Sequence, residues 1–174
     1  LFDEARATVA AHIGTEPGNV ALTGSTTDGI SRLPLAMDWD ADDVVVRTDV
    51  EHAAGILPWR RLRDEYGVEV RVVETDQGWI DPDDWEAAVQ GATLATFSSV
   101  CWTSGVRAPV RELTERAHDA GARVLVDAVQ SPGQHPVDVS EWGADAVAAS
   151  GHKWLLGPWG AGFLYVAPEF AETL

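Results

Sequence analysis

The chain has 174 residues, and with 45% hydrophobic side chains it can bury the core of one domain. Its 28 acidic and 12 basic side chains leave a net charge of -16, which argues against a nucleic-acid partner or an anionic membrane surface, because both repel an acidic protein. The single cysteine, Cys101, excludes an internal disulfide and a CxxC zinc or redox motif, and no apolar run approaches the roughly 20 residues that cross a bilayer.

The basic residues are almost all arginine rather than lysine. Eleven of the 12 are arginine, and Lys153 is the only lysine. The excess of acids, spread along the chain, indicates a halophilic source with a salt-rich cytoplasm, whereas a GC-rich genome would explain the arginine bias equally well. Because the chain opens on no signal-peptide pattern and carries no membrane span, we expect a soluble protein of the cytoplasm.

In chain order, helical and β-rich stretches alternate. The spacing of apolar residues from Leu1 to Ile13 indicates that the chain begins inside a helix, and Pro168 is typical of the first turn of another. The predicted strands are Val20–Thr23, Val44–Thr48, Val68–Val73, Thr93–Ser98, Arg123–Asp127, Ala146–Ser150 and Gly162–Val166. The predicted helices between them include Thr26–Met37, Ile56–Tyr66, Pro82–Gln90 and Pro109–Ala120.

This alternation predicts the fold class. It is typical of a three-layer α/β/α domain with a mostly parallel sheet, here of seven strands. Continuous apolar strands such as Val124–Val126 suit a sheet that is covered on both faces. Because both ends of the chain fall within helical patterns, we expect residues 1–174 to be one domain of a longer protein.

Polar residues at the carboxyl ends of the strands are candidates for a site, because ligands of open α/β sheets bind there. The first strand is followed by Gly24–Thr27, where free N–H groups at a helix start would bind a phosphate. Ser25 with Asp28 also fits an ordinary capping box, so both interpretations stay open at this point. The glycine fingerprints of nucleotide-binding domains, GxxxxGK[ST] and GxGxxG, are absent from the chain.

The second and fourth strands end in different polar groups. His52 follows the second strand and could stack on a planar ring or transfer a proton, although a loop histidine without a function fits as well. Ser98 and Ser99 end the fourth strand with hydroxyls that could reach a ligand. Cys101, flanked by apolar residues, is interpreted as a small core residue rather than a nucleophile.

The fifth and sixth strands carry the most specific residues. Asp127 ends an apolar strand, where a carboxylate is costly unless a cation or a donor partners it, and a turn or N-cap role is the alternative. The sixth strand leads into Ser150–Lys153, and glycine-rich residues 157–162 follow. A lysine at a strand end in such surroundings can lose its proton and attack an aldehyde. Lys153 is therefore the candidate nucleophile.

With these motifs in this order, the chain resembles the large domain of class V enzymes that depend on pyridoxal 5'-phosphate (PLP). That family includes cysteine desulfurases, selenocysteine lyases and isopenicillin-N-epimerase-like proteins. The resemblance covers essentially all of residues 1–174, which would form the PLP-binding large domain. The segments that carry it are Gly24–Thr27, Glu51–Ala53, Ser98–Gly105, Asp127–Gln130 and Ser150–Trp154, and within the third of these Trp102–Gly105 is closer to the epimerase-like branch.

The resemblance implies a role for each candidate residue. Lys153 would form the internal aldimine, a Schiff base with PLP, and would move the substrate proton. Asp127 would pair with the protonated pyridine nitrogen, and Gln130 would hydrogen-bond the ring hydroxyl. His52 would stack over the ring and take part in catalysis, and Ser99 stands at a ring or substrate contact where cysteine desulfurases usually carry Asn. The phosphate would be held by Thr26, Thr27, Ser150 and His152.

The same resemblance implies an enzyme that acts on an amino acid, as a desulfurase, lyase, epimerase or transaminase, and that forms a homodimer. In the family, the carboxylate-binding arginine and the desulfurase cysteine belong to a C-terminal small domain, which we expect to lie outside residues 1–174 together with an N-terminal segment. Cys101 does not occupy the place of that cysteine, so the substrate is not predicted from this chain. The alternative is a truncated, non-catalytic PLP-fold domain with a structural or partner-binding role.

Overall fold

A computed structural model describes residues 1–174. The seven strands are β1 (Val20–Thr23), β2 (Val44–Thr48), β3 (Glu69–Val73), β4 (Leu94–Ser98), β5 (Arg123–Asp127), β6 (Ala146–Ser150) and β7 (Gly162–Val166). The seven α-helices are α1 (Phe2–Ile13), α2 (Thr26–Ala36), α3 (Leu57–Tyr66), α4 (Pro82–Ala88), α5 (Val110–Asp119), α6 (Val139–Trp142) and α7 (Pro168–Ala171). The ends of the strands agree with the predicted ones to within one residue, and those of the four predicted helices to within two.

The strands form one sheet in the order β1-β7-β6-β5-β4-β2-β3. Neighbouring strands are parallel except at β7, which runs antiparallel to both β1 and β6. The predicted mostly parallel sheet of seven strands is therefore confirmed. Since β1, β2, β4, β5 and β6 run in the same direction, the polar residues that follow them meet at one side of the sheet, which we call the carboxyl edge.

Helices cover both faces of this sheet. The larger core cluster packs α1, α4 and α5 against one face, and the smaller packs α2 and α3 against the other. Along β5, Leu125 faces the smaller cluster, whereas Val124 and Val126 face the larger, because successive side chains of a strand point to opposite faces. The three-layer α/β/α architecture is thus confirmed. None of the helices combines the length and the apolar character needed to span a membrane.

Candidate active site at the carboxyl edge

The start of α2 is joined to the end of β6. The Thr26 N–H donates to Ser150 Oγ at 2.6 Å, and the hydroxyl oxygens of the two residues lie 2.7 Å apart. Both side chains are buried, although 124 residues separate them in the chain. Ser25 accepts a hydrogen bond from the Asp28 N–H, so the capping role is realised as well. Two residues expected at a phosphate thus meet at a helix N-terminus, where anions are favoured.

A glycine at the start of β7 permits this contact. A Cβ built on Gly162 would lie 3.0 Å from backbone atoms of Ser25 and 2.8 Å from the carbonyl oxygen of Ala149, which is closer than real side chains approach. Only a residue without a side chain lets β7 pass between the β1–α2 turn and β6. The glycine-rich pattern of residues 157–162 was visible in the sequence, but this close approach was not.

The loop after β6 presents His152 and Lys153. The His152 ring stacks on Trp159, with ring centroids 3.9 Å apart and an angle of 14° between the planes. Nδ1 of His152 is buried and has no hydrogen-bond partner in the chain. A buried polar atom without a partner costs about 1–3 kcal/mol, which a ligand oxygen bound there would recover. The Lys153 side chain is exposed. This loop therefore fits a ligand that brings its own polar atoms.

Glu51 is buried at the same edge and joins the ends of two strands. Its carboxylate accepts hydrogen bonds from the hydroxyl of Thr48 in β2 at 2.6 Å and from the N–H and the hydroxyl of Ser98 in β4 at 3.0 and 2.6 Å. Burial raises the pKa of Glu51, although these hydrogen bonds act in the opposite direction. Sequence reasoning gave a role to His52 and none to Glu51. The available signal for this acid was its place in the loop that follows the buried strand β2.

His52 is exposed next to this buried carboxyl. Its Nδ1 accepts a hydrogen bond from the Ala54 N–H at 3.3 Å, and its ring meets Trp102 edge-on, with centroids 5.5 Å apart. Nε1 of Trp102 in turn donates to the carbonyl oxygen of Val50 at 3.1 Å. The imidazole is therefore oriented by its own loop and by an aromatic neighbour.

Asp127 ends β5, the strand between β4 and β6. Its carboxylate accepts one hydrogen bond, from the Val129 N–H at 2.9 Å, as in an Asx turn. Burial raises the pKa of Asp127 to about 7. The hydrogen bond from the Val129 N–H and the charge of Lys153 oppose this rise, whereas the charge of Glu51 adds to it. A buried carboxyl with so few donors fits a ligand that carries a cation or an N–H group.

Gln130 and Thr27 lie nearer to solvent than Asp127. Gln130 is half-buried, and its Oε1 accepts a hydrogen bond from Nε1 of Trp154 at 2.9 Å. Thr27 is exposed on the first turn of α2, next to the buried Thr26. Sequence reasoning singled out Gln130 but gave Trp154 no role of its own, because their contact joins two loops that are distant in the chain.

The hydroxyl of Ser99 is occupied within the protein. The side chain is buried, and its oxygen lies 3.2 Å from the Asp127 carbonyl oxygen, to which it donates, and 2.6 Å from the Ser131 hydroxyl. Ser99 therefore supports the loop that begins at Asp127. Cys101 is also buried, as expected of a small core residue.

Known proteins of one family are similar to the whole chain. All of residues 1–174 match the family model described as aminotransferase class-V. The chain belongs to this family. A probable cysteine desulfurase of Methanothermobacter thermautotrophicus is 42% identical over 99% of the chain and 44% of the relative. Isopenicillin N epimerase of Streptomyces clavuligerus is 33% identical over 100% of the chain and 45% of the relative. The resemblance inferred from the motifs is confirmed.

Two solved structures have the same fold. The apo structure of cysteine desulfurase from Thermococcus onnurineus matches with a TM-score of 0.94 and 35% identity, over 99% of this chain and 44% of that one. A mutant of C-DES with glycine covalently linked to the PLP cofactor matches with a TM-score of 0.93 and 25% identity, over 99% of this chain and 47% of that one. The chain thus spans less than half the length of these relatives.

Proposed function

We propose that this chain is the cofactor-binding part of a PLP-dependent enzyme that acts on an amino acid, with Lys153 as the residue that carries PLP. The observation that carries the proposal is the arrangement at the carboxyl edge. Three features occur together there: a helix N-terminus hydrogen-bonded to Ser150, the Asp127 carboxyl with few hydrogen-bond donors, and the only lysine. When bound, PLP supplies an aldehyde for covalent attachment and a pyridine ring that accepts electrons from the amino acid.

The start of α2 fits the phosphate of PLP. Thr26 and Ser150 already meet there, Thr27 adds an exposed hydroxyl, and the buried Nδ1 of His152 lacks a partner. The helix dipole contributes roughly 0.3–1 kcal/mol to holding an anion, and up to about 2 kcal/mol where the site is partly buried. These four residues would hold the phosphate oxygens.

Asp127 fits the ring nitrogen. A protonated pyridine nitrogen would provide the charged partner that the chain does not, so that pairing would lower the pKa of Asp127 and keep the ring protonated. Gln130 would donate to the ring oxygen, and His52 would cover the face of the ring. Ser99 would act from inside the protein by supporting the Asp127 loop.

The Nζ atom of Lys153 would have two roles, covalent attachment of PLP and proton transfer. Its Nζ would attach PLP covalently, with loss of water, and once the substrate amine has displaced it, Nζ would be a free base that moves the proton on the substrate Cα. His52, held by its loop and by Trp102, is the second group proposed to take part in proton transfer.

The substrate class follows from the names of the relatives. Cysteine desulfurases and an isopenicillin N epimerase are among them, and the former support an amino-acid substrate and desulfurase-like chemistry. We further propose a cytoplasmic homodimer from a halophilic source. The net charge of -16 supports the last point, because an acidic surface is stabilised by concentrated salt.

Covalent attachment tests the proposal. The purified protein is incubated with PLP, reduced with borohydride and digested, and modified peptides are identified by mass spectrometry. We expect the pyridoxyl group on the peptide that contains Lys153, and no such group in the Lys153→Arg variant, which keeps the positive charge but lacks the amine. Modification only at the N-terminal amine would overturn the proposal and favour a non-catalytic PLP-fold domain.

A further inference from the structure

Trp154 and Gln130 connect the loops that follow β6 and β5. The Trp154 Nε1–H donates to Gln130 Oε1 at 2.9 Å across 24 residues of chain. An indole nitrogen can only donate, whereas an amide offers an oxygen that accepts and an NH2 group that donates. Only the oxygen of Gln130 can therefore face Trp154, and the indole determines which way the amide is turned.

A backbone contact holds these two loops together. Gly133 has a φ of +89°, and a Cβ built on it would overlap the carbonyl group of Trp154 and lie 2.9 Å from the nitrogen of Leu155. Glycine adopts this left-handed conformation at no steric cost and leaves room for the Trp154 backbone. The hydrogen bond between Trp154 and Gln130 thus joins two segments in direct contact, not two free surface side chains.

We propose that Trp154 is a positioning residue that holds Gln130 as a hydrogen-bond donor toward the ring oxygen of PLP. The inference rests on the proposed function, since PLP is the group that Gln130 would contact. With its oxygen occupied by Trp154, Gln130 presents its NH2 group, which binds an acceptor. It therefore favours the deprotonated ring oxygen over the protonated hydroxyl. Because Trp154 directly follows Lys153, one loop carries the attaching amine and the group that orients Gln130.

The Trp154→Phe variant of the purified protein tests this inference. It keeps an aromatic side chain but loses the N–H, so that the Gln130 amide is free to turn its oxygen toward PLP. We expect the Kd for PLP to rise about three- to tenfold, as for the loss of roughly one hydrogen bond. We also expect the pH at which the visible absorption of bound PLP titrates to rise, because the deprotonated oxygen loses its donor. A merely structural role would leave that pH unchanged.

Two further variants identify the route of the effect. In the Gln130→Ala background, Trp154→Phe should change neither the Kd nor the titration, since residues that act through one contact are not additive. Gln130→Glu keeps an acceptor for Trp154 but replaces the NH2 group by an oxygen, so it should weaken PLP binding at least as much as Trp154→Phe. The matched control is Trp79→Phe, at a tryptophan of similar exposure (50% against 46% for Trp154), and both of its readouts should equal those of the unaltered protein.

The outcomes separate this inference from the function on which it rests. PLP binding by Trp154→Phe equal to that of the unaltered protein, or an effect of that variant that persists in Gln130→Ala, would overturn the inference and leave the proposed function standing. An equal shift in Trp79→Phe would overturn it too, because loss of any exposed tryptophan would then suffice. Failure of the unaltered protein to bind PLP would overturn the proposed function and the inference with it.

Discussion

Asp127 and Asp145 are both buried aspartates, but they lie at opposite sides of the sheet. Asp127 ends β5 at the carboxyl edge, and Asp145 immediately precedes β6 at the opposite, amino edge. The Asp145 carboxylate accepts hydrogen bonds from the Val124 N–H at 2.7 Å, from His118 at 2.8 Å and from Arg123 at 2.9 Å. The Asp127 carboxylate accepts one, from a backbone N–H.

This difference in partners reverses the direction of the pKa shift. Burial by itself would raise the pKa of Asp145, but hydrogen bonds from His118 and from the Val124 N–H outweigh burial, and the pKa lies below its ordinary value. For Asp127 burial prevails, and the pKa is raised to about 7. A carboxyl whose partners all belong to the chain stabilises the fold, whereas one short of partners gains free energy from a ligand. Asp145 at the amino edge is thus structural, and Asp127 at the carboxyl edge is suited to binding a ligand.

The largest expected effect is on the pH dependence of stability in the protein without PLP. With a pKa of about 7 for Asp127 in the folded protein and about 3.9 in the unfolded chain, the folded state retains a proton that the unfolded state has lost. The contribution of Asp127 to the free energy of unfolding is complete below about pH 3.9. It is lost as the pH rises through 7, and the free energy of unfolding falls by as much as about 4 kcal/mol.

Asp127→Asn should abolish that loss, because the amide does not ionise. The free energy of unfolding, measured by urea titration from about pH 4 to about pH 8, should fall with pH more steeply in the unaltered protein than in the variant. Glu51, whose pKa is also raised, is present in both proteins, so the difference between the slopes reports the ionisation of Asp127 together with its charge coupling to Glu51. Equal slopes would show that Asp127 is ionised in the folded protein across this range.

The next effect concerns turnover, measured in the full-length PLP-loaded protein. Asp127→Asn keeps a similar shape but removes the charge proposed to hold the ring protonated. An opposite charge within about 4–6 Å shifts a pKa by roughly 1–3 units, or about 1.4–4 kcal/mol, so turnover of an amino-acid substrate should fall roughly ten- to thousandfold. PLP absorption should persist in the variant. Turnover within about threefold of the unaltered protein, less than about 1 kcal/mol, would exclude the proposed role.

At the amino edge, the same substitution should act on stability instead. Asp145→Asn removes a charge-assisted hydrogen bond and should lower the free energy of unfolding by about 1.5–3 kcal/mol. The pKa of Asp145 is lowered, so its contribution is present above about pH 3.9 and is lost as the pH falls through the folded value. The pKa of His118 is raised by its bond to Asp145, so its contribution is complete below about pH 6.5 and is lost above its folded value.

The destabilisation by Asp145→Asn should therefore be greatest between about pH 4 and about pH 6.5. The urea titrations used for Asp127→Asn measure it directly, and PLP binding serves as the control, which we expect to be unchanged. If Asp145→Asn were as stable as the unaltered protein, the three bonds at the amino edge would contribute no net stability.

The smallest expected effect is on the salt dependence of Tm, and it arises from the exposed acids rather than from Asp127 or Asp145. At low salt, 28 acidic side chains against 12 basic ones repel one another, and the Debye length reaches about 30 Å at 0.01 M. The Tm should therefore rise with potassium chloride, by roughly 2–4 °C for each kcal/mol gained. At about pH 4.4, where the composition gives no net charge, this rise in Tm should vanish. A Tm that does not respond to salt at neutral pH would support a GC-rich genome over a halophilic source.

The sequence by itself determined the elements and the set of candidate residues. Apolar strands such as Val124–Val126 and the intervening helices predict a mostly parallel sheet covered on both faces, and the protein has such a sheet. The family resemblance implied that Thr26 and Ser150 hold one phosphate. These two residues are in contact, although their residue numbers differ by 124. The roles of these residues and of Lys153 toward PLP stay predictions.

Only the tertiary structure decided how each candidate is held, because burial and hydrogen-bond counts depend on distances between segments that are remote in the chain. β7 lies antiparallel between β1 and β6, where Gly162 permits the close approach. Ser99 bonds inside the protein, Glu51 joins two strands, and Trp154 orients Gln130. A carboxyl beside a strand has the same sequence signature whether the fold gives it hydrogen-bonded cationic partners, as at Asp145, or a single backbone N–H, as at Asp127. The kind of partner, together with burial, sets the direction of its pKa shift.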